Sequence, residues 1–227
     1  ALAGIRARRR VALLVGGSGL YFRAVVDDLA FPPEDPALRT ALEAEAAAVG
    51  PERLYRRLAA LDPAAAGRIE VGNVRRVVRA LEVAALTGRP FSDFAATWTR
   101  HDPSRVRAAG VRIAGEVLAV RIAARVEAML AAGWLDEVRA LVERGFGGWL
   151  TSSQAIGYAE LARHLDGRLS LEEAVATTVR RTRNLARRQV AWFRRDPRIV
   201  WVDVGAGGAV EAIDALAAIL VPEGDRP

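Results

Sequence analysis

Val11 to Val15 is a short, wholly apolar run, followed at once by Gly16-Gly17-Ser18-Gly19 and then by helical spacing from Leu20 to Leu29. An apolar run of that length bounded by glycine suits a strand buried on both faces of a parallel sheet. Strand, glycine turn and helix together make half of a βαβ unit, so this stretch predicts an α/β core. Later segments extend the prediction. Val111 to Ala114 and Ile199 to Val204 suit further strands, and Glu116 to Ala132 and Trp134 to Arg144 suit helices closed by Gly133 and Gly145. Val210 to Leu220 completes the set as a last amphipathic helix.

Between these pieces lies a stretch of another character. Asp35-Pro36 joins a capping carboxylate to a proline suited to the first helical turn. Helices are expected over Pro36 to Val49, Pro51 to Leu61 and Asn73 to Thr87, the last stopped by Gly88. Without a strand signal up to about Ser104, this reads as a helical insertion. The expected division is residues 1–35 as part of the core, 36–104 as the insertion, and 105–227 as the remainder of the core with a long basic helix.

The chain has no cysteine, which excludes disulfides, thiolate catalysis and sulfur-ligated zinc. The two histidines, His101 and His164, are far apart with no third ligand in view, so no metal cluster is expected and both suit exposed positions. No apolar run approaches the roughly 20 residues that span a bilayer, and the cytoplasm is the default location. A net charge of +6 favours an anionic partner. All 33 basic residues are arginine, a choice that an alanine-rich, GC-rich coding bias explains without function.

Four places offer chemistry. The Gly16–Gly19 loop fits either an anion cradle at a helix N-terminus, with Ser18 adding a hydroxyl, or an ordinary tight turn. It is not a Walker A loop, which needs lysine, nor a nucleophile elbow, since Leu20 stands where glycine is required. The segment from Ser170, with Glu173 completing a capping box, opens a helix to about Arg195. Its Arg180, Arg181, Arg183, Arg187, Arg188, Arg194 and Arg195 fall within an arc of roughly 160°. Val175, Val179, Ala186, Val190 and Phe193 lie opposite, and Trp192 sits at the boundary, where an indole could stack on a base. No acidic residue interrupts Ala174 to Arg195, which tilts this face towards nucleic acid over plain solvation. Arg75, Arg76 and Arg79 form a second basic face opposite Val74, Val77, Val78 and Leu81. Arg121 and Arg125, one turn apart, suit a pyrophosphate or simple pairing with Glu116 and Glu127.

Six stretches in order resemble the tRNA dimethylallyltransferase (tRNA isopentenyltransferase) family: LVGGSGLYFRAV (Leu14 to Val25), FPPEDPALR (Phe31 to Arg39), GNVRRVVRALEVAALTGRP (Gly72 to Pro90), RIAARVEAMLAAGWLDEV (Arg121 to Val138), QAIGY (Gln154 to Tyr158) and ARRQVAWFRRDPRIVWVD (Ala186 to Asp203). The resemblance implies a P-loop-kinase-like parallel-sheet core with a helical insertion. It also implies transfer of a dimethylallyl group from dimethylallyl diphosphate to N6 of the adenosine 3′-adjacent to the anticodon, with Mg²⁺ assisting the departing diphosphate. The adenosine would be turned out of the anticodon stem-loop to react. By the same resemblance Ser18 replaces the family's usual threonine beside that adenosine, and Arg121 and Arg125 serve the diphosphate. Arg39, Arg75, Arg76, Arg79, Gln154, Gly157, Tyr158, Arg187, Arg188, Gln189, Trp192 and Arg194 match tRNA-contacting segments, and the complete enzyme is expected to be a monomer.

The departures carry expectations too. Gly72-Asn73-Val74 stands where many members have Asn-Asp-Pro. The family's diphosphate-binding P-loop and its general-base aspartate precede the glycine loop, and this sequence holds neither. The chain alone is therefore expected not to catalyse transfer, and to be marginally stable or to associate through an exposed apolar flank at the Val11 strand. The competing functions are a catalytically inert RNA-binding module, a fragment whose basic faces are only solvated, and a prenyltransferase of free adenine nucleotides.

Overall fold

The computed structural model describes residues 1–27, 29, 31–98, 101–148 and 152–221. The chain divides into two compact units, Leu20–Arg105 and Ala1–Gly19 with Val106–Pro227.

In Leu20–Arg105, local capping chemistry sets the helices. After most of α2 (Gly19–Val26), α3 (Pro36–Val49) opens on Asp35, whose Oδ1 accepts from the N–H groups of Ala37 at 2.8 Å and Leu38 at 3.1 Å. Gly50, at φ +86°, turns the chain into α4 (Pro51–Leu61), and Asp62 caps the short α5 (Pro63–Ala66). Asn73 caps α6 (Val74–Thr87), and Gly88 closes it in the left-handed conformation. Apolar residues three and four apart on these helices meet in one core, where Leu54, Leu58, Val77, Val78 and Leu81 are all but sealed from water. Asp62 also accepts from Ser92 N–H at 2.7 Å, tying in the 3₁₀ segment Phe91–Trp98. Burial pushes its carboxyl up, but the backbone donors outweigh this and hold it below its ordinary value.

The other unit begins with α1 (Leu2–Ala7) and holds the sheet. β1 (Ala108–Ile113) pairs in parallel with β2 (Ile199–Val204), in register from Ala108 opposite Ile199 to Ile113 opposite Val204. Between them in sequence come α7 (Gly115–Ala131), α8 (Trp134–Glu143), α9 (Tyr158–Leu165) and α10 (Leu171–Phe193), and α11 (Ile213–Leu220) follows β2 and packs on both strands. Val126, Trp134, Val138, Leu161 and Ala174 form the core of α7 to α10. No described helix is long and apolar enough to cross a membrane.

One expectation is overturned. Residues 11–15 form no strand, and Val11, Leu13 and Val15 are 71%, 71% and 83% exposed. An apolar run becomes a strand only when a neighbour takes its N–H and C=O groups, and among the described residues β1 and β2 pair only with each other. The last helix is also shorter than expected, because Gly208–Ala212 is a 3₁₀ turn ahead of α11.

Candidate functional site

The glycine loop and the basic helix meet. Gln189 Nε2 donates to the carbonyl of Gly17 at 3.1 Å, across 172 positions of sequence. A Cβ on Gly17 would lie 2.2 Å from Gln189 Nε2, and one on Gly19 would lie between 2.1 and 2.3 Å from three atoms of the Trp192 indole. Neither glycine has positive φ. The requirement for glycine at both positions therefore comes from the close approach of α10 side chains, a cause the sequence alone did not suggest. Trp192, expected to meet a base, turns one face of its indole on Gly19 and stands edge-on to Phe193, with ring centroids 4.9 Å apart and planes at 75°. Ser18, between the two glycines, is exposed.

Beyond this junction α10 runs past the ends of the strands. An open groove of about 580 Å³ lies where β1 and β2 terminate and α7 starts; Ala114, Leu118, Arg187, Val190, Arg194 and Asp203 help to line it. Crevices beyond the carboxyl ends of parallel strands are where open α/β sheets take ligands. The α7 start contributes N–H groups without a side-chain cap, and Arg187 and Arg194 add positive charge. At the rim Arg112 grips Asp203 through two hydrogen bonds, 2.5 and 2.7 Å, which hold the Asp203 carboxyl below its ordinary value. Arg183, Arg187, Arg188, Arg194 and Arg195 are exposed, giving α10 a continuous cationic face. Arg181 departs from it to pair with Glu160.

The remaining sequence-derived candidates take varied places. Arg121 donates to the Ala206 carbonyl at 3.2 Å, Arg125 is exposed, and neither lines the groove. No ion pair joins them to Glu116 or Glu127 among the described residues. Gln154 is exposed. The Tyr158 hydroxyl donates to Glu137 at 2.9 Å, and this bond, with burial, pushes the phenol above its ordinary value. Its ring stands edge-on to Trp134, with centroids 5.6 Å apart.

In the other unit Arg75 and Arg76 are exposed, whereas Arg39 and Arg79 converge on Glu82. Glu82 is completely buried and accepts from Asp35 N–H at 2.8 Å, Arg39 Nη2 at 3.0 Å and Arg79 Nη1 at 2.8 Å. Burial pushes its carboxyl up, but the donors from Arg79, Asp35 and Arg39 outweigh this and hold it below its ordinary value. Arg79 also donates to the carbonyls of Pro32 and Pro33. Two of the four arginines picked out here thus build the fold around a carboxylate that sequence reasoning passed over. The i,i+3 spacing of Arg79 and Glu82 was the available signal. The histidines also differ from the exposed positions expected: His101 Nε2 lies 2.8 Å from Arg23 Nη1, and His164 Nδ1 lies 3.1 Å from the Leu169 carbonyl.

A family profile described as IPP transferase matches residues 1–196. The tRNA dimethylallyltransferase of a Nocardioides species is 49% identical over 220 residues, covering 96% of this chain and 71% of that protein. The Salinispora arenicola enzyme of the same name is 50% identical over 222 residues, covering 96% of this chain and 63% of that one. The chain thus spans roughly two thirds of the length of these curated relatives. The full-length tRNA isopentenylpyrophosphate transferase of Bacillus halodurans superposes with a TM-score of 0.60 at 36% identity, over 96% of this chain and 68% of that one. A eukaryotic dimethylallyltransferase acting on tRNA shares the fold, with a TM-score of 0.67 at 24% identity over 89% of this chain and 53% of that one.

Proposed function

We propose a function from a plain premise: the chain belongs to the IPP transferase family. The reaction proposed is transfer of a dimethylallyl group from dimethylallyl diphosphate to N6 of the adenosine 3′-adjacent to the anticodon in tRNA, in the cytoplasm. The new bond joins N6 to the first carbon of the prenyl chain, the bond from that carbon to the diphosphate oxygen breaks, and N6 loses a proton.

The observation that carries the reading is the seating of the Ser18 loop on Gln189 and Trp192. It places an exposed hydroxyl on the helix whose arginines suit a phosphate backbone. In this reading Ser18 orients the adenosine, while Arg187, Arg188 and Arg194 hold the stem-loop backbone. Gln189 and Trp192 seat the loop and contact the same stem-loop beside it. Arg75 and Arg76 are the arginines of α6 free to face RNA, with Arg39 and Arg79 setting the surface around them through Glu82. Gln154, Gly157 and Tyr158 form a further tRNA-facing segment. Arg121 and Arg125 keep the diphosphate role, with Arg125 the better placed because Arg121 is held by Ala206.

Mg²⁺, which the resemblance implies, finds no ready site in these residues. No group of three or more His, Asp or Glu that could hold a metal occurs among the described residues. The carboxylates of Asp203 and Asp196 are engaged by Arg112 and Arg198.

Mass spectrometry of nucleosides tests the reading. Unmodified tRNA is incubated with dimethylallyl diphosphate and Mg²⁺, once with this chain and once with the chain joined to the P-loop segment of a relative. Dimethylallyl-adenosine in either reaction supports it. Stem-loop binding with no product in both reduces the chain to an RNA-binding module.

A further inference from the structure

Glu160 and Asp196 are the buried acidic residues among the described residues of the unit that holds the sheet. Glu160 is 1% exposed, its Oε2 accepts from Gly157 N–H at 2.7 Å, and its Oε1 takes Arg181 of α10. Glu173 makes the same kind of backward bond to Ser170 N–H at the start of α10, also at 2.7 Å, yet it stays in water and pairs with no arginine among the described residues. Capping alone therefore does not need a buried carboxylate. A buried carboxylate is tolerated when it is paired and hydrogen-bonded, and here both partners lie outside its own helix.

The backbone held this way is constrained on its other sides. Gly157 has φ +91°, and a Cβ there would lie 2.1 Å from Trp134 Cη2 and 3.3 Å from Thr178 Cγ2. Trp134 belongs to α8 and Thr178 to α10. The next residue, Tyr158, is tied to Glu137 of α8. Gly157 thus lies against a ring, a methyl group and one carboxylate, and that carboxylate links it to Arg181 of α10.

We propose that Glu160 is a positioning residue: through Arg181 it locks Gln154–Tyr158 in register with the basic face of α10. The consequence for RNA recognition rests on the reading given under Proposed function. Arg181 serves the clasp, so it makes no phosphate contact although it falls within the arginine arc.

The test uses the full chain and Glu160→Gln, Arg181→Gln and Arg183→Gln, held well below their melting temperatures. A double variant, Glu160→Gln with Arg181→Gln, removes both charges together and leaves no carboxylate buried without its partner, so it keeps the exchange test open if either single variant does not fold. Amide hydrogen exchange across 154–158 should rise about tenfold or more in Glu160→Gln and Arg181→Gln, and stay unchanged in Arg183→Gln. Anticodon stem-loop binding, followed by fluorescence anisotropy at several salt concentrations, should weaken about tenfold in both clasp variants with no change in salt slope. Arg183→Gln should instead lower that slope by about 1. Unchanged exchange across 154–158 overturns the proposal, and so does a lower salt slope in Arg181→Gln. If the unsubstituted chain binds no stem-loop, the RNA reading fails, and exchange alone still decides the role of Glu160.

Discussion

Gly19→Ala probes the junction on which the site depends. The added methyl would lie 2.1 to 2.3 Å from three atoms of the Trp192 indole. Carbon atoms settle at about 3.5–4.0 Å, so the ring must retreat by more than about 1 Å. A rigid ring cannot yield by rotating one end, and retreat disturbs its edge-on contact with Phe193, a kind of pair worth about 0.5–1.5 kcal/mol. With the usual cost of forcing a methyl into packed space, the variant should lose about 1–3 kcal/mol. For a chain of this size that is roughly 2–4 °C of melting temperature per kcal/mol. In a Trp192→Ala background the obstacle is gone, and Gly19→Ala should cost close to nothing. Urea melts of the four proteins, followed by far-UV circular dichroism, give the coupling as a double-mutant cycle. Gly17→Ala is the internal comparison. It meets the flexible end of Gln189 and should cost less, about the one hydrogen bond. An equal penalty for Gly19→Ala with and without the indole would refute the reasoning.

Other outcomes follow from the same structure. Glu82→Gln should destabilise the chain by about 2–3 kcal/mol in thermal melts, below the range for fully buried pairs because Arg39 and Arg79 reach water. The Glu82 carboxyl is held below its ordinary value of 4.5 in the fold, so its stabilisation is complete above that value and is lost as pH falls through the folded-state value. Melts repeated at falling pH should show an acid decline that Glu82→Gln flattens. Arg187→Gln and Arg188→Gln should each lower the salt slope of stem-loop binding by about 1, read by anisotropy titration, with little change in stability. In the chain joined to a relative's P-loop segment, Ser18→Thr should keep prenyl transfer and Ser18→Ala should reduce it, read by nucleoside mass spectrometry, both melting as the unsubstituted protein does, because Ser18 is exposed.

What was legible in the sequence was what neighbouring residues decide. Asp35 before Pro36, Asn73 before Val74 and Ser170 with Glu173 announce helix starts through chemistry within three residues, and all three open helices. β2 was readable from its own alternation. Residues 11–15 were not, since a strand also needs a partner to take its backbone groups, which the sequence of one segment cannot display. The site shows the same divide. The arginine face of α10 follows from helical geometry, but the withdrawal of Arg181 to Glu160 depends on how α9 and α10 pack. The glycines of the loop were visible; their reason lies 172 positions away, in Gln189, and just beyond it in Trp192.

Receipt of the target adenosine by the Ser18 loop and α10 together is best tested by photocrosslinking. An anticodon stem-loop carrying a photoreactive adenosine analogue in the position next to the anticodon is bound to the chain, irradiated and digested, and the modified peptides are identified by mass spectrometry. Crosslinks are expected within Gly16–Gly19 and the adjoining Gln189–Trp192 turn, abolished by unlabelled stem-loop. Specific crosslinks confined to other segments, with both of these left unmodified, would contradict that role.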